Sequence, residues 1–334
     1  MKPWIMMRKG IRFNKYLEDR MILVVGSGIL LGAVFHRYFI HIKPLVPYLF
    51  AYITFAVTLG CSSRQFKAAL KSPGYLLLIL GMLHIVLPLL ATGISYLFLP
   101  NQPLLQGGII LVTASPIGIA STMWTSIAGG DVALALTVLI IDTVISPLVN
   151  PGIMAITVGK QIPFDVGQLM LGLALMIVLP TFLGMLLHDC TKGTIGKKYK
   201  FITGPSTKIL LSLVIATNLA AVWDSVHLLK TSLATVIGLA LLMGCSGYLL
   251  GFICGKVLNT DSALHNTFIF SIGVRNITTG LVLALNYFPE LTAVPVVFSI
   301  IFQQPLAAVS LRFLARKENN NRSASPGNQS LNNK

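Results

Sequence analysis

TASPIGIASTMWTSIAGGD, residues 113–131, and FSIGVRNITTGLVLAL, residues 270–285, decide how this chain folds. Both lie in apolar runs long enough to be helices, yet both are interrupted. The first carries Pro116 and Gly118 among small hydroxyl residues; the second carries Gly273, Arg275, Asn276, Thr278 and Thr279. Non-helical backbone at membrane depth survives only where protein or a water-filled cavity satisfies its polar groups. A matched pair of Gly/Pro-interrupted spans in corresponding positions of two halves points to a transporter built from inverted repeats.

Composition supports the membrane setting. Of 334 residues, 54% are hydrophobic and 10% charged, with a mean hydropathy of +0.80. A soluble domain carries roughly 25% charged residues, so a soluble enzyme or nucleic-acid reader is excluded. Apolar runs fall at about 21–40, 44–61, 75–98, 107–128, 132–156, 168–188, 205–222, 231–254, 262–287 and 291–313. The interrupted runs are fourth in each set of five, and because five is odd the second set is upside down. The expected fold class is an all-α polytopic membrane protein with ten transmembrane helices in two inverted five-helix repeats. Its expected divisions are a basic N-terminal segment (1–20), a first repeat (21–156), a second repeat (157–314) and a disordered tail (315–334).

The net charge of +15 is mostly topology. Lys and Arg crowd the N-terminal segment, the 62–74 and 189–204 loops and the tail, while the opposite side holds only Arg37, Lys43, Lys160 and Lys230. Cytoplasmic loops collect Lys and Arg, so both termini are expected in the cytoplasm and the chain in the cell membrane. Lys208 and Arg275 fall within spans. Cys61, Cys190, Cys245 and Cys254 have no metal-ligand spacing, and neither a metal site nor a disulfide framework is expected.

Two charges sit deep in apolar runs: Asp142, in LIIDTVISPLVNP, and Arg275. Each costs about 2.5–3.5 kcal/mol at a helix centre and must face a cavity or a partner. They either brace the bundle by pairing with each other or mark an ion or substrate path. His84, in LHIVLPLL, reads as a packing residue before it reads as a proton carrier, and Trp124 as packing. Gln303 and Gln304 either bond across helices or line a pocket. A single deep carboxylate, with no HExxH motif, argues against an enzyme.

TLGCSSRQFKAALKSPG (58–74), the PxGxAS stretch Pro116–Ser121, GGDVALAL with SPLVNP (129–136 and 146–151) and SIGVRN (271–276) together resemble the bile acid:sodium symporter family over about 21–315. The resemblance implies a panel of helices one, two, six and seven. It also implies a core of three to five and eight to ten, with four and nine crossing where both are unwound. It further implies an organic anion substrate, bile-acid-like or a smaller carboxylate or sulfonate, bound beside that crossing. Carried over residue by residue, the substrate site comprises Arg275, Asn276, Ser121, Thr122 and Ser271, with Asp142, Arg275 and His84 as an ion-coupling or charge network. The departures are as informative. Ser271 stands where the family has an acidic sodium ligand, Arg275 where it has glutamine, and Thr122 where it has asparagine. Leu83, Ala135 and Leu139 stand where it has side-chain oxygens. No cofactor is expected, and sodium is disfavoured beside a guanidinium that cannot deprotonate. The resulting expectation is a sodium-independent secondary transporter. Its alternatives are a sodium-coupled symporter or a non-transporting membrane sensor. Substrate identity, the coupling ion and oligomeric state stay open.

Overall fold

The computed structural model describes residues 3–62, 73–229 and 232–323. Arg64, Lys67 and Lys71 of the basic 62–74 loop, together with Lys230 and the end of the tail, fall outside them. The architecture is all helical. In chain order it comprises α1 (Pro3–Asp19), α2 (Met21–Val34), α3 (His36–Phe39), a 3-10 turn (Ile40–Leu45) and α4 (Val46–Thr58). After the gap come α5 (Pro73–Gly81), a π turn (Met82–Val86), α6 (Leu87–Phe98), α7 (Pro103–Ala114), α8 (Ala120–Ile127) and α9 (Val132–Thr157). Next are α10 (Val166–Leu173), a second π turn (Ala174–Val178), α11 (Leu179–Cys190), α12 (Thr194–Leu228) and α13 (Leu233–Val257). Last are α14 (Ser262–Gly273), α15 (Ile277–Tyr287) and α16 (Ala293–Ser323). Among the described residues, seven helical stretches are long and apolar enough to cross a membrane: 36–58, 73–98, 132–157, 166–190, 194–224, 233–257 and 290–316. The chain is a multi-pass membrane protein.

Small residues let the backbones approach. Gly28 and Gly32 of α2 lie four apart and pack on α12, where a Cβ would come within 2.6 Å of Ser212 O and 2.5 Å of Ala216 O. Such small-xxx-small stripes are how helices associate without a hydrophobic drive in lipid. Gly247, Gly251 and Gly255 form a longer stripe on α13 against α14, with Gly251 on the Phe268 carbonyl and Gly247 on Ile272 and Gly273.

Two boundaries differ from the sequence reading. α12 begins at Thr194, eleven residues before the apolar run at 205, so Lys197, Lys198 and Lys200 lie on its first turns and not in a loop. Apolar content marks where a span enters lipid; a helix continues beyond it wherever its backbone bonds continue. The N-terminal segment is itself helical. α1 packs on that extension, with Gly10 against the Phe201 carbonyl and Lys208 Nζ donating to Asn14 Oδ1 at 2.8 Å, so this in-span lysine reaches out of the run to a polar partner. At the other end, α16 continues past residue 315 to Ser323, and residues 324–334 lie outside the described set.

Burial is greatest at the interrupted helices. Every residue from Leu105 to Ala114 of α7 is buried, and so are Ile277 and Thr279–Leu285 of α15. A helix that is apolar all round belongs in the middle of a structure, and this one places both interruptions at the centre of the molecule.

Candidate functional site

Each interruption has a local cause. Pro116 pushes the residue before it out of the helical region, and Ser115 is extended at φ −59°, ψ 145°. At the other break Val274 is extended at φ −97°, ψ 112°, and the Asn276 side chain caps the new helix by accepting from Thr279 N–H at 3.3 Å. The two freed segments serve one another. Gly118 N–H donates to Val274 C=O at 3.2 Å and Asn276 N–H to Pro116 C=O at 2.7 Å, making an antiparallel bridge between Ile117 and Arg275. A Cβ at Gly118 would lie 2.9 Å from Arg275 O, so only glycine lets the strands come this close.

Arg275 is 5% exposed. Its Nη1 donates to Ser115 C=O at 3.3 Å and its Nη2 to Leu83 C=O at 2.9 Å. Both carbonyls are left over by proline. Ser115 ends α7 at Pro116. Leu83 sits in the π turn, where Leu87 N–H bonds Met82 O, so the register offers Leu83 O the nitrogen of residue 88, which is proline and has no hydrogen. The backbone carbonyl of Arg275 accepts from Gln303 Nε2, and Gln304 Oε1 from the Trp124 indole at 3.3 Å.

Asp142 is fully buried and does not pair with Arg275. Its Oδ1 lies 2.5 Å from His84 Nε2, and its Oδ2 accepts Ile117 N–H at 2.6 Å. The guanidinium is drawn to the two orphan carbonyls, leaving the carboxylate to the π-turn histidine and the break amide. His84 is therefore a polar partner within the core.

The hydroxyls divide. Ser121 and Ser271 are fully buried and, among the described residues, their Oγ atoms have no hydrogen-bond partner, whereas Thr122 Oγ1 donates back to Ile119 O at 2.8 Å. Alternation along the extended 274–276 segment sends neighbours to opposite sides. Asn276 borders a cleft of about 540 Å³, and Arg275 borders a separate one of about 380 Å³ with Tyr248, Ser299 and Gln303, both volumes taking in open space at the mouth. Of the five residues expected to bind substrate, only Asn276 lines the larger cleft. Its other walls include Thr54, Thr58 and Cys61 on one side, Thr181 and Met185 of α11 on another, and Leu136, Leu139, Ile140 and Thr143 of α9. Sequence reasoning missed these threonines. Their signal was the i, i+4 spacing of Thr54 with Thr58 and of Thr181 with Met185, and Gly184 packs directly on Thr58 Oγ1.

Residues 46–229 match the Sodium Bile acid symporter family. "Uncharacterized protein YbaS" of Bacillus subtilis (strain 168) is 34% identical over 298 residues, 89% of this chain and 97% of that protein. "Uncharacterized sodium-dependent transporter YocS" of the same organism is 26% identical over 272 residues, 81% and 83% of the two chains. "Probable sodium/metabolite cotransporter BASS1, chloroplastic" of Arabidopsis thaliana is 29% identical over 244 residues, 73% of this chain and 60% of that protein.

Proposed function

Because the chain belongs to the Sodium Bile acid symporter family, a family of transporters and not of enzymes, we propose that it is a secondary transporter moving a small organic anion by alternating access. The observation that carries this reading is the backbone bridge between two broken helices beside an open cleft. α7 with α8 and α14 with α15 are each read as one interrupted span. Added to α2 and the seven long stretches, they make ten spans in two inverted repeats, with cell-membrane placement and cytoplasmic termini following from the Lys/Arg distribution. Asn276 offers its amide to the cleft. Two helix ends that start after the breaks, α8 and α15, turn positive dipole ends toward the crossing, which suits a carboxylate or sulfonate.

Sodium coupling is where the reading departs from relatives named as sodium-dependent. A sodium site needs several converging oxygens with net negative character. Here Leu83, Ala135 and Leu139 supply no side-chain oxygen, and Ser271 supplies a neutral one. Arg275 already donates to the carbonyls at the crossing. These residues do not fit the ion, and the proposed transport is sodium-independent. Sodium-coupled transport is the second reading, favoured by the relatives' names. Uptake of radiolabelled pyruvate, 2-oxoglutarate and taurocholate into proteoliposomes, with sodium replaced by choline, decides between them. Equal flux in both salts is expected. A steep sodium dependence selects the second reading, and binding without flux selects a membrane sensor.

A further inference from the structure

The geometry points to the His84–Asp142 pair as a proton site that couples proton entry to anion binding at the crossing. This inference rests on the transporter reading and adds the coupling ion to it.

Asp142 takes one hydrogen bond on each oxygen, from Ile117 N–H at 2.6 Å and across the 2.5 Å contact to His84 Nε2. With the carboxylate as acceptor, Nε2 carries its hydrogen whatever the charge of the ring. The difference between imidazole and imidazolium is then a single proton at Nδ1. That atom is buried and, among the described residues, has no hydrogen-bond partner, so no neighbouring group fixes it as donor or as acceptor. The side chain keeps 8% exposure, against none for Asp142. The ring also sits in the π turn of Met82–Val86, a local departure from α-helix of the kind that recurs at working sites.

The charges around the pair make the proton matter to the ligand. Asp142 is the opposing charge that acts on Arg275, and the two charges cancel. Among the described residues the neighbouring helices add no other charge: α7, α8 and α10 carry no titratable side chain. Tyr75 of α5 packs edge-on to Phe268, Tyr96 of α6 is engaged with Thr157 O, and His265 of α14 packs on Phe252. With neutral His84 the crossing therefore sums to zero, and an anion arriving there brings an uncompensated negative charge into a poorly screened interior. With His84 protonated the sum is +1, and one monoanion neutralises it. Each ligand thus raises the affinity for the other, and the effect is reciprocal. The signal reaches the substrate cleft through Ile117, whose amide Asp142 holds and which borders the cleft with Asn276. In the balanced cycle a proton from solution joins Nδ1 as an anion enters, and both leave on the other side.

The test uses the full chain in proteoliposomes with an entrapped pH dye and the three labelled anions named above. An imposed pH gradient, acid outside, is expected to drive accumulation by about tenfold per pH unit at one proton per monoanion, with dye acidification in step. His84→Gln, which keeps an amide for Asp142 but cannot titrate, is expected to lose gradient-driven accumulation and to weaken anion binding, and whatever exchange remains should no longer respond to pH; gradient-driven accumulation unchanged in this variant overturns the inference. Flux that ignores the gradient overturns the proton inference and leaves the transporter reading standing. If no anion moves at all, the transporter reading fails, and the proton site is decided without ligand by histidine ¹⁵N NMR of the protein in lipid. The His84 signal is identified by its loss in His84→Gln. An Nδ1 resonance that switches form with pH while Nε2 stays protonated upholds the site; one that holds a single form over the folded range overturns it.

Discussion

Ile117 and Arg275 face one another in an antiparallel bridge, and each is held from behind by a different set of groups. Asp142 accepts the Ile117 amide, while the Arg275 side chain reaches back to the carbonyls of Ser115 and Leu83. The bridge joins two interrupted helices by backbone alone, and the charges satisfy what the bridge leaves over. A buried carboxylate and a buried guanidinium therefore stabilise the same crossing without touching.

The bridge depends on the missing side chain of Gly118. Gly118→Ala puts a Cβ 2.9 Å from Arg275 O, against backbone that has no room to yield. Overpacking of this kind costs about 1–3 kcal/mol. The expected result is a lowered unfolding temperature in detergent and a loss of uptake larger than the stability loss explains, because the cleft wall at Pro116 and Asn276 moves too. Scanning fluorimetry alongside proteoliposome flux measures both.

The α13 stripe offers a paired control. Gly251→Ala would set a Cβ 2.5 Å from Phe268 O, whereas Gly238, on the same helix, has nothing within 4 Å of a built Cβ. Gly251→Ala should destabilise by about 1–3 kcal/mol. Gly238→Ala should be neutral or gain up to about 1 kcal/mol from helix propensity. Equal melting temperatures for the two variants would count against the packing of α13 on α14.

Removing Arg275 tests the burial of charge. Arg275→Met keeps an unbranched apolar stem but leaves Leu83 O and Ser115 O without donors and Asp142 without its opposing charge. Breaking a buried charge set from one side costs about 3–5 kcal/mol. Arg275→Lys should fall between, since an ammonium cannot span both carbonyls with a planar fork. The order wild type, Lys, Met in thermal unfolding is the expected outcome; a Met variant as stable as wild type would show the two carbonyls to be satisfied otherwise.

The breaks were legible because proline and glycine act on their own backbone: Pro116 dictates Ser115, and Asn276 caps the helix it begins. The depth of Asp142 and Arg275 was legible from the apolar residues around them. Their partners were not. His84 meets Asp142, and Leu83 O meets Arg275, from a π turn around a proline-orphaned carbonyl, and hydrophobic periodicity is blind to that one-residue change of register. The start of α12 was hidden because lysines on outer helical turns look like a loop. The glycine stripes at 28–32 and 247–255 were visible as spacings, but their partner helices are a property of the assembled bundle. The cleft threonines were hidden for the same reason, since Thr58 and Thr181 converge only once α4 and α11 pack.

Cys61 gives a native reporter of the cleft. It borders the same space as Asn276, Thr58 and Thr181, and it is half-buried. Cys190 and Cys245 are exposed and Cys254 is buried, so a Cys190→Ser/Cys245→Ser background leaves Cys61 as the reactive thiol among the four. A small, membrane-impermeant, negatively charged thiosulfonate should modify it if the cleft admits anions from water. Labelling should slow when a transported anion fills the cleft, and the modified protein should lose flux because the new group occupies the substrate's space. Cys61→Ser should be insensitive to the reagent and keep transport, which separates occlusion of the cleft from any need for the thiol. Labelling measured by intact-mass spectrometry with and without pyruvate, 2-oxoglutarate or taurocholate reads the result. Full reactivity in the presence of a saturating transported anion would place that substrate elsewhere, and the cavity beside Arg275, Tyr248 and Gln303 would become the site to probe.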